Sequence, residues 1–290
     1  MTNTAGIFFS YSSQNDADYL LGNADHLGLD KVVLALGGEI TLQDTVLEKD
    51  TGKVVLLFEK IRLGKAESYN RALKCLDSDI TFLVSGDVRF DHAIFAQLAS
   101  YFEDDVGMVI PRVVPSQYKS FPQRVGSIMW MIHDITMESA SEHSKYFCGG
   151  EFQAIKHPMP LFSPEIINDD EFLCHQVYAS GKKIVYARDI EVSNYMPSSF
   201  RSLLQQRTRI NFGHIQSKRH NNWHSSISMS GFRNMGHSIS IILAFRRRYG
   251  KQRFFLSVAI LIEIISIMIA FAQFKRGKSY RYWHLQSSEK

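Results

Sequence analysis

Through its first 110 residues the chain alternates short apolar runs with amphipathic stretches, which restricts it to βαβ units around a mostly parallel sheet. The apolar runs predict strands at Gly6–Phe9, Lys31–Leu36, Val54–Phe58, Ile80–Val84 and Val106–Ile110. Between them, Asp16–Leu27, Ala66–Cys75 and His92–Phe102 carry helical spacing. An open sheet of this kind gathers ligands beyond the carboxyl ends of its strands. The segments to read are therefore SYSSQN, GGE, EKIRLGK, SGD and PR.

Further on, Pro111–Ser144 turns irregular and helical, and Phe147–Ile155 reads as an extended segment entered through a glycine turn. Asp169 and Asp170 stand in the acidic first turn of a helix ending at Gly181, Lys183–Ala187 makes another strand, and Phe200–Gly213 is a helix rich in Gln and Arg. With 290 residues, 45% of them hydrophobic, the chain buries about three quarters of its unfolded surface, so a disordered or disulfide-scaffold protein is excluded. One large α/β domain with an appendage is expected.

Thirty-three Lys and Arg against 29 Asp and Glu give a net charge of +4, too small a bias to argue for nucleic acid. Three scattered cysteines, Cys75, Cys148 and Cys174, suit a reducing compartment and no structural zinc. The first residues show no secretory signal, so the bulk of the chain is expected in the cytoplasm. Phe254–Phe274 is apolar apart from Glu263 and has basic flanks. Its length matches a bilayer-crossing helix, with in-plane anchoring and a buried helix as the alternatives. Before it, Met235, Ile239, Ile242 and Phe245 are expected on one helix face, close to Arg246–Arg248, against a membrane surface or an ordinary core.

Four segments carry chemistry. Asp87 follows an apolar strand directly, a position from which a carboxylate holds Mg²⁺ or Mn²⁺ against a pyrophosphate or simply caps a turn. Asp169, Asp170 and Glu171 exceed what a helix cap needs, and mutual repulsion in a cleft makes one of them fit to accept a proton. Lys65 and Arg62, with Asn70, head a helix that suits an anion. Gln205, Gln206, Arg207 and Arg209 offer converging donors for a diphosphate, or a solvated basic face.

In order, these segments resemble the family 2 inverting glycosyltransferases, the group that includes cellulose and hyaluronan synthases and the polyprenyl-phosphate sugar synthases. The resemblance runs from about Gly6 to Gly213. GKAESYNRAL is similar to the family's Gly-Lys-Ala stretch, and SGDV holds the place of its Asp-x-Asp metal motif. CGGEFQAIKHP stands on the acceptor side, NDDEFL matches the Glu-Asp catalytic motif, and QQRTRI the Gln-x-x-Arg-Trp segment. Ser85 replaces the first Asp of the metal motif, Ile210 replaces the Trp, and FSYSSQN replaces Pro-x-x-Asn-Glu. Glu39 stands where an Asp pair usually ends the second strand.

The resemblance implies a GT-A fold, a mixed and mostly parallel sheet flanked by helices, to which the apolar C-terminal segments add expected amphipathic and transmembrane helices. It implies catalysis by Asp170 with Asp169, and nucleotide-sugar contacts from Ser10, Glu39, Lys65, Asn70, Ser85, Gly86 and Asp87. Gly149, Gly150, Gln206, Arg207 and Arg209 would face acceptor and diphosphate, and Mg²⁺ or Mn²⁺ would sit at Asp87. The expected layout is a catalytic domain at 1–215, an amphipathic segment at 216–253, a transmembrane helix at 254–274 and a basic, aromatic tail at 275–290. The expected activity is sugar transfer from a nucleotide diphosphate to a lipid-linked or polysaccharide acceptor at the cytoplasmic membrane face. A catalytically silent membrane-bound scaffold is the rival reading.

Overall fold

The computed structural model describes residues 2–41, 52–61, 63–116, 118–142, 148–163, 165–220 and 235–278. Arg62, residues 221–234 of the amphipathic segment and the tail beyond 278 lie outside them.

The apolar runs become eight strands: β1 Thr4–Tyr11, β2 Lys31–Gly37, β3 Val54–Glu59, β4 Ile80–Ser85, β5 Val88–Arg89, β6 Val106–Pro115, β7 Phe152–Lys156 and β8 Lys183–Asn194. They form one sheet in the order β3-β2-β1-β4-β7-β6-β8-β5. β1, β2, β3 and β4 pair in parallel, with Phe8 opposite Leu34 on one side and Val84 on the other. β7 runs antiparallel to both β4 and β6, and β5 to β8.

Both faces of the sheet are covered, which is why its central strands are apolar throughout rather than alternating. Phe8, Leu34 and Phe82 pack with Leu20 and Phe95, from α1 (Gln14–Asn23) and the helix at Ile94–Ala99. Ile7, Val33 and Leu83 pack on the other face, against α2 (Lys65–Leu73), the end of a long helix at Phe121–Glu142, and the helix at Asp169–Ala179. The helices at Ile94–Ala99, Phe121–Glu142 and Asp169–Ala179 are α3, α4 and α5 in chain order. Each strand extends one or more residues beyond its apolar run because backbone pairing outlasts the buried side chains.

A third core joins α4 to α6 (Phe200–His220), α7 (Met235–Arg248) and α8 (Arg253–Lys275) through Val125, Ile128, Leu203, Phe245 and Leu256. Here the expected face of α7 is corrected. Ile241 and Phe245 are buried, whereas Ile239 is exposed. The helix follows the 241/245 pair because α4 and α8 supply apolar partners there. The segment around α8 is long and apolar enough to cross a membrane, with mean hydropathy 2.6.

Candidate active site

From β1 the chain leads outward to β2 and β3, then returns to lay β4 on β1's other side. The carboxyl ends of β1 and β4 thus form the switch point where open α/β sheets make their ligand crevice. The Gly86 amide donates to the Phe9 carbonyl at 2.7 Å. A Cβ on Gly86 would lie 2.8 Å from that oxygen and 2.9 Å from the Ser10 Cβ. Glycine therefore lets this turn press against β1, and the turn carries Asp87 to the crevice.

Glu151 joins it from the neighbouring strand. Its carbonyl accepts from the Ser85 amide at 3.0 Å, which sets Glu151 beside the end of β4 as the chain enters β7. Lys65 is the first residue of α2, after Gly64 with φ of 96°, and its Nζ meets Asp169 Oδ2 at 2.6 Å. Asp169 and Asp170 begin α5, where the helix dipole favours acids. A Cβ on Gly150 would approach Asp170 Oδ2 to 3.0 Å, so the bare backbone there leaves room for this carboxylate. Arg209 reaches the same charges from α6.

The three successive acids of α5 separate in the structure. Glu171 turns into the interior, where His214 Nδ1 lies 2.8 Å from its Oε2. Asn168 Nδ2 donates to the Ile210 carbonyl at 3.1 Å, and Gly213 makes room for that amide. These contacts clamp the start of α5 onto α6, leaving Asp169 and Asp170 at the crevice.

The crevice gathers Asp87, Glu151, Asp169 and Asp170 around Lys65 and Arg209, with carboxylates in excess. Burial, and then the charge of Asp87, push Glu151 up to about 8. Burial and Asp16 raise Asp87, while burial, Asp169 and Glu171 raise Asp170. Burial lowers Arg209, and the acids around it oppose that. Among the described residues, no three acidic, His or Cys side chains converge into a preformed metal cage. A carboxylate pair that resists ionisation together nevertheless suits a hard cation that completes its shell with substrate phosphates.

The other expected residues fall around this centre. Ser10 abuts Gly86, and Ser85 ends β4 half-buried. Glu39 is exposed beyond the end of β2, where its amide is 3.4 Å from Ser12 Oγ. Asn70 is engaged elsewhere: its side chain exchanges hydrogen bonds of 2.9 and 2.8 Å with the Phe162 backbone. Gly149 packs on Ile110, and Gln206 is half-buried on α6. Arg207 turns away from the acids and grips Glu263 of α8 through two bonds of 2.8 Å. Sequence reasoning passed over Glu151, whose sole signal was its place directly after the Gly149-Gly150 pair.

Residues 30–213 match the model of the family described as Glycosyltransferase like family 2. No curated protein matches the chain. Among solved structures, the mannosyltransferase PcManGT from Pyrobaculum calidifontis in complex with GDP-Man and Mn²⁺ is similar, with a TM-score of 0.63 and 14% identity. The alignment covers 96% of this chain and 88% of that one. Glucosyl-3-phosphoglycerate synthase from Mycobacterium tuberculosis, in complex with Mn²⁺, UDP and phosphoglyceric acid, aligns at a TM-score of 0.47 and 12% identity over 72% of this chain and 76% of that one. With a family match spanning most of the sheet and the crevice residues from Lys65 to Arg209, the chain belongs to glycosyltransferase-like family 2 and is a glycosyltransferase of the GT-A fold.

Proposed function

We propose that this enzyme moves a sugar, with inversion, from a nucleotide-diphosphate donor to a lipid-linked or polysaccharide acceptor at the cytoplasmic face of a membrane. The observation that carries the reading is the crevice at the β1/β4 switch point, where Asp87, Glu151 and Asp170 face Lys65 and Arg209. Residues 1–215 make the catalytic domain, 216–253 an amphipathic segment, 254–274 the apolar helix of membrane-crossing length and 275–290 a basic, aromatic tail.

Asp170 acts as the base. Its raised pKa and its seat against the bare backbone of Gly150 suit a carboxylate that takes the proton from an acceptor hydroxyl as that oxygen attacks the anomeric carbon. Lys65 and Arg209 bind the diphosphate and stabilise the charge it gains on leaving. Asp169 holds Lys65 in place through their ion pair. Asp87, with Glu151 beside it, would hold Mg²⁺ or Mn²⁺. When bound, the cation supplies charge neutralisation of the diphosphate. PcManGT, the neighbour with the same fold, holds GDP-Man and Mn²⁺.

Ser85, in place of a second metal-site Asp, favours the rival reading of a silent membrane-bound scaffold. Titration of purified protein with UDP and GDP, with Mn²⁺ present or chelated, separates the two. Metal-dependent binding that is lost in Asp87→Ala supports the transferase, and turnover lost in Asp170→Asn completes it. Absence of nucleotide binding under every condition supports the scaffold.

A further inference from the structure

The apolar helix α8 has two unlike sides. Leu256, Ala259, Ile262 and Ala270 face inward. Phe254, Leu261, Ile264, Ile265, Met268 and Phe271 face outward, all more than a third exposed and spaced as one stripe along the helix.

The inward side is bound to α6 from Glu263 to Phe274, and Leu203 of α6 shares the third core with Leu256. Arg207 meets Glu263, Asn211 Nδ2 donates to Ser266 Oγ at 2.8 Å, Phe212 packs on Phe274 with ring centroids 5.4 Å apart, and Arg219 lies 5.5 Å from the same ring. Partners advance together along the two helices, so α6 and α8 run side by side in the same direction.

That pairing decides how α8 meets a bilayer. Its 23 residues reach about 34 Å, enough to cross the hydrocarbon core. If it crossed, α6 would cross beside it, taking Arg207, Arg209, Lys218 and Arg219 into hydrocarbon at roughly 3 kcal/mol for each charge near the centre. It would also carry Arg209 of the catalytic crevice out of reach of a nucleotide in water. Lying flat, α8 sinks its outer stripe among the acyl chains and leaves α6 above the surface.

Charge supports the flat arrangement. Exposed Arg247, Lys251 and Arg253 precede the stripe, and exposed Lys275 and Arg276 follow it. Cations at both ends of an apolar face suit one anionic headgroup layer touching its entire length. Exposed Ile239 and Leu243 of α7 add apolar surface before them.

We propose that α8 is an in-plane membrane helix, bound to anionic lipid through its Phe254-to-Phe271 stripe and fastened through Arg207–Glu263 to the helix that carries Arg209. The inference rests on the reading that the enzyme works at a membrane, and nucleotide titration in solution tests the transferase part separately.

Full-length protein is added to sealed vesicles of phosphatidylcholine, with or without phosphatidylglycerol. In a Cys75→Ser background, where the other two cysteines are buried, Lys251→Cys and Arg276→Cys, which flank the stripe, are each exposed to a membrane-impermeant maleimide from outside. The expected result is labelling of both positions, and flotation at least tenfold better with phosphatidylglycerol. Flotation is expected to be lost in Leu261→Glu/Met268→Glu, with nucleotide binding intact as proof of folding. Protection of one end alone shows a spanning helix and overturns the proposal. Failure to float, with a dimer abolished by the same double variant, assigns the stripe to a second copy and also overturns it.

Discussion

Around Asp134 the buried acids find partners, whereas around Asp87 they crowd one another. Asp134 accepts from Tyr186 Oη at 2.8 Å and meets Arg112 at 3.2 Å and Arg188 at 3.4 Å. Glu138 pairs with Arg188 and, at 3.0 Å, with Arg248. Three arginines and the acids between them join β6, β8, α4 and α7 into one block. In the crevice, by contrast, Asp87, Glu151 and Asp170 are each pushed toward protonation by burial and by another carboxylate. The first cluster is complete within the folded chain. The second is left short of positive charge, a deficit that the cation proposed at Asp87 would relieve. Charge that binds the fold and charge that binds a ligand thus differ in whether the chain itself supplies the counterion.

The largest break in this contrast is expected from Asp170→Asn. It removes the base and lowers kcat about a thousandfold while leaving nucleotide affinity within roughly twofold, read by turnover and titration. In the wild type, the raised pKa of Asp170 means that kcat falls as pH drops through a midpoint above the ordinary Asp value of 3.8. An acidic limb at or below that value would remove Asp170 from the role.

Asp134→Ala comes next and acts on stability. It removes the carboxylate shared by Tyr186, Arg112 and Arg188, leaving the two arginines Glu191 and Glu138, and lowers unfolding free energy by about 3 kcal/mol in a denaturant titration. A loss below about 1 kcal/mol would show that the Asp134 cluster is no more self-sufficient than the crevice. Nearly as large is the expected gain from ligand. Mn²⁺ at about a hundred times its Kd raises stability by about 2.7 kcal/mol, and Asp87→Ala abolishes the rise. The smallest effect sharpens the comparison most. Glu151→Gln stabilises the ligand-free protein by up to about 1 kcal/mol by removing an acid that is held at a cost by burial and by the charge of Asp87, whereas Glu138→Gln destabilises it. A shift of the same sign in both variants would erase the distinction.

Much of the sheet was legible because its central strands are short apolar runs bounded by polar turns. KVVLAL and ITFLV allow little else between two helices. Less legible were pieces whose structure depends on distant pairing. β5 has two residues and exists because it lies against Ser193 and Asn194 of β8. β8 itself continues from Ala187 to Asn194 through a register shift that no local pattern announces.

The candidate site divides in the same way. Asp87 and Asp170 stood out as acids at a strand end and a helix start, both local signals. Glu151 did not, because its neighbours come from β4, α2 and α5. Arg207 read as a phosphate donor beside Arg209, and its partner Glu263, 56 residues later, read as a lone charge in an apolar run. Each made sense separately, and only the packing of α8 on α6 made them one pair.

The turn between β4 and Asp87 also limits which variants of this enzyme are open to selection. A side chain at Gly86 meets backbone oxygen and a neighbouring Cβ, neither of which can swing aside. Ser85, one residue earlier, is half-buried and already carries a β-carbon. Substitution beside the crevice is therefore lopsided: position 85 accommodates a β-carbon, while position 86 is closed to every residue that carries one.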